Sequence, residues 1–236
     1  MMGAMTDQRA LLSLLEAATD RLLRTVHALP DEAFAEPSAL PAWRRAHVVA
    51  HLALNGEALA AALAGVAVGQ EVAMYPSQEA RDAGIAELAA TSPALLRSRL
   101  RTAVRGFSGA LSLVPPDAME TVIHRLPGSA RTFRPADAVG MRLRETEIHH
   151  ADLAASYAHT DWDRTFAEHL VATVTARETA PFVVRATDTS QEWTTAAGTG
   201  PVVSGTVADL GWWLTGRGGE DRLEVSGGPM PTIGKW

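Results

Sequence analysis

Apolar positions recur with helical spacing over the first two thirds of the chain. Leu11, Leu15, Ala18, Leu22, Val26 and Leu29 form one stripe, with a cap expected at Thr6-Asp7 and a stop at Pro30. Residues 31–41 read as a proline-containing loop. A second helix is predicted from about Trp43 to Ala67, with Ala46, His47, Ala50, His51, Leu54, Ala58 and Ala61 on one stripe. Its alanines point to close helix packing, and two histidines interrupt an otherwise small, apolar face. A connection containing Met74-Tyr75-Pro76 leads to a short helix starting at Ser77 or Gln78. Ser92-Pro93 opens another long helix whose stripe is Leu95, Leu96, Leu100, Val104 and Phe107, ending near Pro115-Pro116. Residues 121–126 and 130–133 flank Pro127-Gly128-Ser129 as a small hairpin or loop. Pro135-Ala136-Asp137 then starts a helix running through Met141 and His149, with no breaker before Tyr157.

The pattern changes after a seam at His159-Thr160-Asp161-Trp162. One more helix is predicted from Phe166 to Glu178. Short β-branched runs follow at 182–187, 192–196, 201–205 and 222–226, bounded by Gly, Asp or Ser. Between the last two, Thr206-Val207-Ala208-Asp209 starts a helix in the manner of a capping box, and Gly216 ends it. The expected class is α+β. Residues 1–158 form a four-helix bundle, in which ligand sites arise from facing helices, and residues 159–236 form a small α/β domain.

Composition narrows the chemistry. At 236 residues with 47% hydrophobic content, the chain can bury a sizeable core, and its net charge of −6 argues against nucleic acid as a partner. No apolar run is expected to span a membrane, and the N-terminus lacks the regions of a signal peptide, so a cytoplasmic location is expected. The chain contains no cysteine. Disulfides, a cysteine nucleophile and thiolate ligands are therefore excluded, and any metal must be held by His, Asp or Glu.

One stretch carries a candidate for such chemistry. In Met141-Arg142-Leu143-Arg144-Glu145-Thr146-Glu147-Ile148-His149-His150-Ala151-Asp152, Glu145 and His149 are four apart and share a helix face with Met141 and Ile148. A carboxylate and an imidazole on a core-facing stripe need pairing or coordination, because an uncompensated buried charge is costly. With His51 from the second helix they could hold zinc and leave one position open. An ion pair within the helix, or a partly wet groove, would account for the same spacing. His47, four before His51, is a rival ligand or a packed, helix-bonded histidine. His150 points about 100° away from His149 and should not share a metal with it. Asp152 could orient a liganding His149, and Asn55, one turn past His51, could line the same groove; both are candidate cofactor-binding residues. Arg217, in Thr215-Gly216-Arg217-Gly218-Gly219, could point a guanidinium into a cleft or simply complement a helix C-terminus. Arg81 could serve an anion or pair along its own helix. No phosphate-binding or dinucleotide-binding glycine motif is present.

These residues resemble the mycothiol-dependent maleylpyruvate isomerase family. The resemblance rests on the segments at 43–55, 74–81, 141–153 and Gly216-Arg217-Gly218, in the family's order along nearly the whole chain. It implies a DinB-like four-helix bundle followed by a sterol-carrier-like α/β domain. It also implies zinc on His51, Glu145 and His149, mycothiol as the thiol cofactor, and catalytic roles for Arg81 and Arg217. Glu147 and His150 depart from the family pattern by placing charge or polarity where apolar residues are expected. The activity implied is cis–trans isomerisation of maleylpyruvate to fumarylpyruvate in gentisate breakdown. A thiolate held by zinc would add to the alkene carbon, allow rotation and be expelled, while the arginines anchor carboxylates and stabilise enolate charge. A thiol brought by a cofactor is consistent with a chain that has none. The expected partners are a small dicarboxylate and mycothiol, with no nucleic acid, no membrane and a monomeric state. A mycothiol S-transferase acting on electrophiles and a non-catalytic small-ligand-binding module are the alternative readings.

Overall fold

The computed structural model describes residues 2–234, with side chains described from residue 8 onward. Contacts divide the chain into two compact units between Tyr157 and Ala158. The first holds helices α1 (Met2–Ala28), α2 (Arg45–Ala67), α3 (Gln78–Ala89), α4 (Pro93–Leu113) and α5 (Ala138–Asp152). A two-stranded hairpin, β1 (Ile123–His124) and β2 (Thr132–Phe133), lies between α4 and α5. Helix α2 packs on α4 and α5, and α1 packs on α5 and α4, so the four long helices form a closed ring with α3 set against α2.

The sequence pattern accounts for most of this. On α1, Leu15, Ala18, Leu22 and Val26 are buried as the stripe requires. The helix starts at Met2, ahead of the expected cap, and Thr6-Asp7 lie within it, with side chains outside the described residues. Helix α3 is capped by Ser77, whose hydroxyl accepts from Ala80 N, and α4 by Ser92, which accepts from Leu95 N with Pro93 in the first turn. The inward face of α4 is Leu96, Leu100, Ala103, Phe107 and Ala110; Leu95, placed on the predicted stripe, is instead 47% exposed.

Helix α2 corrects the single-stripe reading. Val48, Val49, Leu52, Ala53, Leu59 and Leu63 are buried alongside Ala46, Ala50 and His51, and Ala61 is exposed. A helix apolar nearly all round is a central helix, and one-faced periodicity does not apply to it. The same property corrects the expectation about membrane-length runs. By length and apolar content α2 could cross a bilayer, but 67% of its most apolar window is buried inside the bundle. At Gly56 the close approach has a specific cause. A Cβ there would stand 3.3 Å from the Arg142 guanidinium and from Ala103 of α4.

The second unit contains α6 (Arg164–Thr175), β3 (Val183–Ala186), β4 (Glu192–Thr194), β5 (Val202–Gly205), α7 (Val207–Leu214) and β6 (Glu224–Ser226). Its sheet order is β4-β3-β5-β6, with β3 and β5 parallel and the outer pairs antiparallel. Val184 lies opposite Val203 in that register, and both are fully buried with Phe182, Phe166, Leu170, Leu210 and Trp213. Helices α6 and α7 pack on each other and against the sheet. Asp163 caps α6 and Thr206 caps α7 through side-chain bonds to Thr165 N and Asp209 N. The architecture is α+β, as the pattern of elements predicts.

Candidate metal centre

His51 projects from α2 toward Glu145 and His149, which lie one turn apart on α5. His51 Nε2 stands 2.9 Å from Glu145 Oε2 and 3.0 Å from His149 Nε2, and His149 Nε2 stands 3.3 Å from the same carboxylate oxygen. All three donor atoms fall within 4.8 Å of one another. Two imidazole nitrogens and one carboxylate oxygen turned to a common point match the donor chemistry of a catalytic zinc site with a position left open. Both imidazoles are buried, while the Glu145 side chain is 25% exposed.

The electrostatics suit such a role. Burial, and then the neighbouring His149, push His51 down to about 4, against the opposing pull of Glu145. His51 is therefore neutral at physiological pH, the state a metal ligand needs. Burial also presses His149 down, but its hydrogen bonds to Asp152 and Glu145 outweigh that and raise it. Burial disfavours the Glu145 carboxylate, yet its hydrogen bonds to His149 and His51 hold it well below its ordinary value.

The surrounding residues fix the orientation of these groups. His149 Nδ1 lies 2.7 Å from Asp152 Oδ2, and Asp152 is fully buried. The contact sets Nδ1 as the donor and leaves Nε2 to face the site. Arg81 Nη2 is 3.3 Å from His51 Nδ1. Because a guanidinium only donates, Nδ1 accepts, and the His51 proton sits on Nε2, aimed at Glu145. Trp43 meets the His51 ring edge-on at 5.8 Å.

Asn55 lies behind the donors. It accepts from Arg142 Nη1 at 2.8 Å, and the Tyr75 side chain lies beside Asn55 and Arg81. Arg142 is buried and pushed down to about 10 by burial, even with Glu145 nearby. Arg142 with Asn55, and Arg81 with His51, are thus two polar pairs on either side of Tyr75.

The structure brings together His51, Glu145, His149, Asp152 and Arg81, while Asn55 is bonded to Arg142 behind them. It separates the rivals. His47 Nδ1 accepts from Arg44 N at the start of α2 and its ring stacks on Trp43, so it is a helix-bonded histidine. His150 turns away, bonding Thr25 Oγ1 and stacking on Tyr157 at 3.9 Å; Glu147 pairs with Arg21 at 2.6 Å. Glu147 and His150 therefore serve the α1–α5 contact. Arg217 belongs to the second unit. Gly216, Gly218 and Gly219 around it take positive φ, its Cζ lies 5.7 Å from the Trp212 ring centroid, and Nη1 donates to Thr215 O. That last bond is the one a helix-ending arginine makes. Sequence reasoning missed Arg142, although it lies three residues before Glu145 on the same face of α5. It also missed Tyr75, which sits in an irregular segment without periodicity.

A ring of four helices with two histidines and a carboxylate converging in its core, backed by a carboxylate and an arginine, defines a helix-bundle protein with a candidate metal centre. The model of the mycothiol maleylpyruvate isomerase N-terminal domain matches residues 15–154, and the chain belongs to that family. Two solved structures resemble it over 97% of this chain and 97% of theirs, each with a TM-score of 0.86. One is described as the mycothiol-dependent maleylpyruvate isomerase, 29% identical, and the other as a histidine-to-alanine mutant of such an isomerase, 28% identical. No curated protein matches the sequence.

Proposed function

We propose that the protein is a zinc- and mycothiol-dependent isomerase that converts maleylpyruvate to fumarylpyruvate. The observation carrying this reading is the convergence of His51, Glu145 and His149 donor atoms within 4.8 Å, in a bundle of the isomerase family. The chemistry supplied by bound zinc and mycothiol is reversible thiol addition across the cis double bond, at a metal that favours the thiolate.

The chain's own residues provide the rest. His51 and His149 offer Nε2, Glu145 offers Oε2, and Asp152 keeps the His149 proton on Nδ1. With a metal bound there, the His51 proton would belong on Nδ1, so Arg81 would have no acceptor on that ring and its guanidinium would be available to a carboxylate. Arg217, flanked by glycines of positive φ, is the further arginine that the family resemblance assigns to carboxylate and enolate charge. A mycothiol S-transferase would need the metal and thiol but no carboxylate anchors, so Arg81 beside the donors favours the isomerase. On this reading the enzyme is a cytoplasmic monomer whose partners are mycothiol and a small dicarboxylate.

Two measurements test it. Metal analysis of gently purified protein should find about one zinc per chain, lost in Glu145→Gln and His51→Ala. Conversion of maleylpyruvate, followed by absorbance, should require added mycothiol and fall in Arg217→Ala. A chain that takes up no zinc on reconstitution, or that isomerises without mycothiol, contradicts the reading; a normal rate for Arg217→Ala removes that arginine's role.

A further inference from the structure

Arg125, just past β1, presents a second guanidinium beside the candidate metal centre. Two backbone bonds, Met74 N to His124 O and Tyr75 N to Arg125 O, both at 3.0 Å, lay the Tyr75 connection alongside the hairpin. The Tyr75 ring is buried, and two cations flank it. The Arg81 Cζ lies 5.8 Å from the ring centroid and the Arg125 Cζ 5.5 Å. Arg81 also touches His51, so the ring bridges the donor cluster and Arg125.

The charge balance is uneven. Arg81 pairs with the exposed Asp82 at 2.7 Å. Among the described residues the Arg125 guanidinium donates to the neutral Gln78 Oε1, at 3.2 Å, and no carboxylate pairs with it. Burial, then the charges of Arg131 and Arg81, press its guanidinium below the usual range, although Glu145 opposes this. Half-buried like charges held around one ring repel each other unless an anion joins them. Guanidiniums grip carboxylates bidentately, so two of them set apart by one ring suit a short ligand with a carboxylate at each end.

We propose that Arg125 and Arg81 form a clamp across Tyr75 that holds a short, unsaturated dicarboxylate, with Arg125 setting the preference for two carboxylates over one. This deepens the isomerase reading and rests on it for the identity of the substrate. It assigns the first unit a carboxylate anchor of its own, whatever Arg217 contributes.

The test is a matched pair of probes titrated calorimetrically into the zinc-loaded protein. Maleate and isocrotonate share a cis alkene and differ by one carboxylate. Wild type should prefer maleate. Arg125→Gln should weaken maleate about 10- to 100-fold, the loss expected for charge-assisted hydrogen bonds, and leave isocrotonate within about twofold. Arg125→Lys, which keeps the charge and loses the fork, should fall between. Zinc content and melting curves should match wild type for both variants. Unchanged maleate affinity in Arg125→Gln, equal losses for both probes, or no maleate preference in wild type would overturn the clamp. If the binding pattern holds while maleylpyruvate is not turned over, the reaction is wrong and the clamp stands. If turnover is normal and Arg125→Gln binds maleate like wild type, the clamp is wrong and the reaction stands.

Discussion

Asp152 shows how much a single residue behind the donors can control. Its carboxylate is fully buried and accepts from His149 Nδ1 at 2.7 Å. That contact selects the tautomer whose Nε2 can bind metal and raises the basicity of the ring. Asp152→Asn keeps the shape and an acceptor oxygen but removes the charge. We expect zinc affinity to fall about 10- to 100-fold, measured by competition with a chromophoric chelator, while excess zinc still restores full occupancy. An unchanged affinity would mean that packing alone orients His149. The i, i+3 spacing of His149 and Asp152 made this pair legible in the sequence, as the i, i+4 spacing did for Glu145 and His149. Arg142 obeys the same arithmetic relative to Glu145 but was hidden by its charge, since a buried arginine is rarely expected on a core face. Tyr75 and Arg125 had no such signal, because the backbone pairing of 74–75 with 124–125 is a tertiary contact between segments far apart in sequence.

Helix α5 reads out two chemistries from two faces. One face carries Glu145 and His149, and the other carries Glu147 and His150 against α1 and Tyr157. Glu147 is almost wholly buried, receiving Arg21 at 2.6 Å and the Tyr157 hydroxyl at 2.5 Å. Arg21→Ala leaves that carboxylate without its cation. It should destabilise the protein by about 1–3 kcal/mol, below the usual range for a fully buried pair because Arg21 is a third exposed. Urea denaturation measures this, and Glu147→Gln with Arg21 retained should cost less. Helix α7 gives a pH-dependent counterpart. Burial pushes the Asp209 carboxylate up, but bonds to Thr206 and His159 outweigh it and hold it below the ordinary 3.8. A depressed carboxylate adds stability above its unfolded value, and that stability is lost as pH falls through the folded one. Asp209→Asn should therefore narrow the difference from wild type between neutral pH and about pH 3, and urea midpoints at both should show it. The capping pattern Thr206-Val207-Ala208-Asp209 made α7 legible. Helix α2 was legible in its bounds but not in its environment, because an alanine-rich helix surrounded on all sides has no polar face for a stripe to contrast with.

At the scale of the molecule, the candidate metal donors and the family-model match both fall in the first unit. The donors come from α2 and α5, and the family model ends at residue 154, before the division at Tyr157 and Ala158. The change from helical spacing to short β-branched runs was visible along the chain, since periods of 3.6 and 2 are local properties. What the chain could not display is which stripes face each other, and the donor cluster exists only because α2 and α5 do. A ligand joining two helices that are distant in sequence also ties the bundle together, so metal binding should appear as stability. Zinc bound to the folded chain alone adds about 4 kcal/mol when free zinc is a thousandfold above its dissociation constant. Chelation should lower the melting temperature, and readdition of zinc should restore it. Hydrogen exchange should place the gain in α2 and α5, around residues 47–55 and 142–152, because these segments open only if the shared ion lets go. His51→Ala should melt at one temperature with or without zinc. If that variant still gains stability from zinc, or if the protected amides in wild type lie elsewhere, the ion is held at other residues and the convergence of these three has another cause.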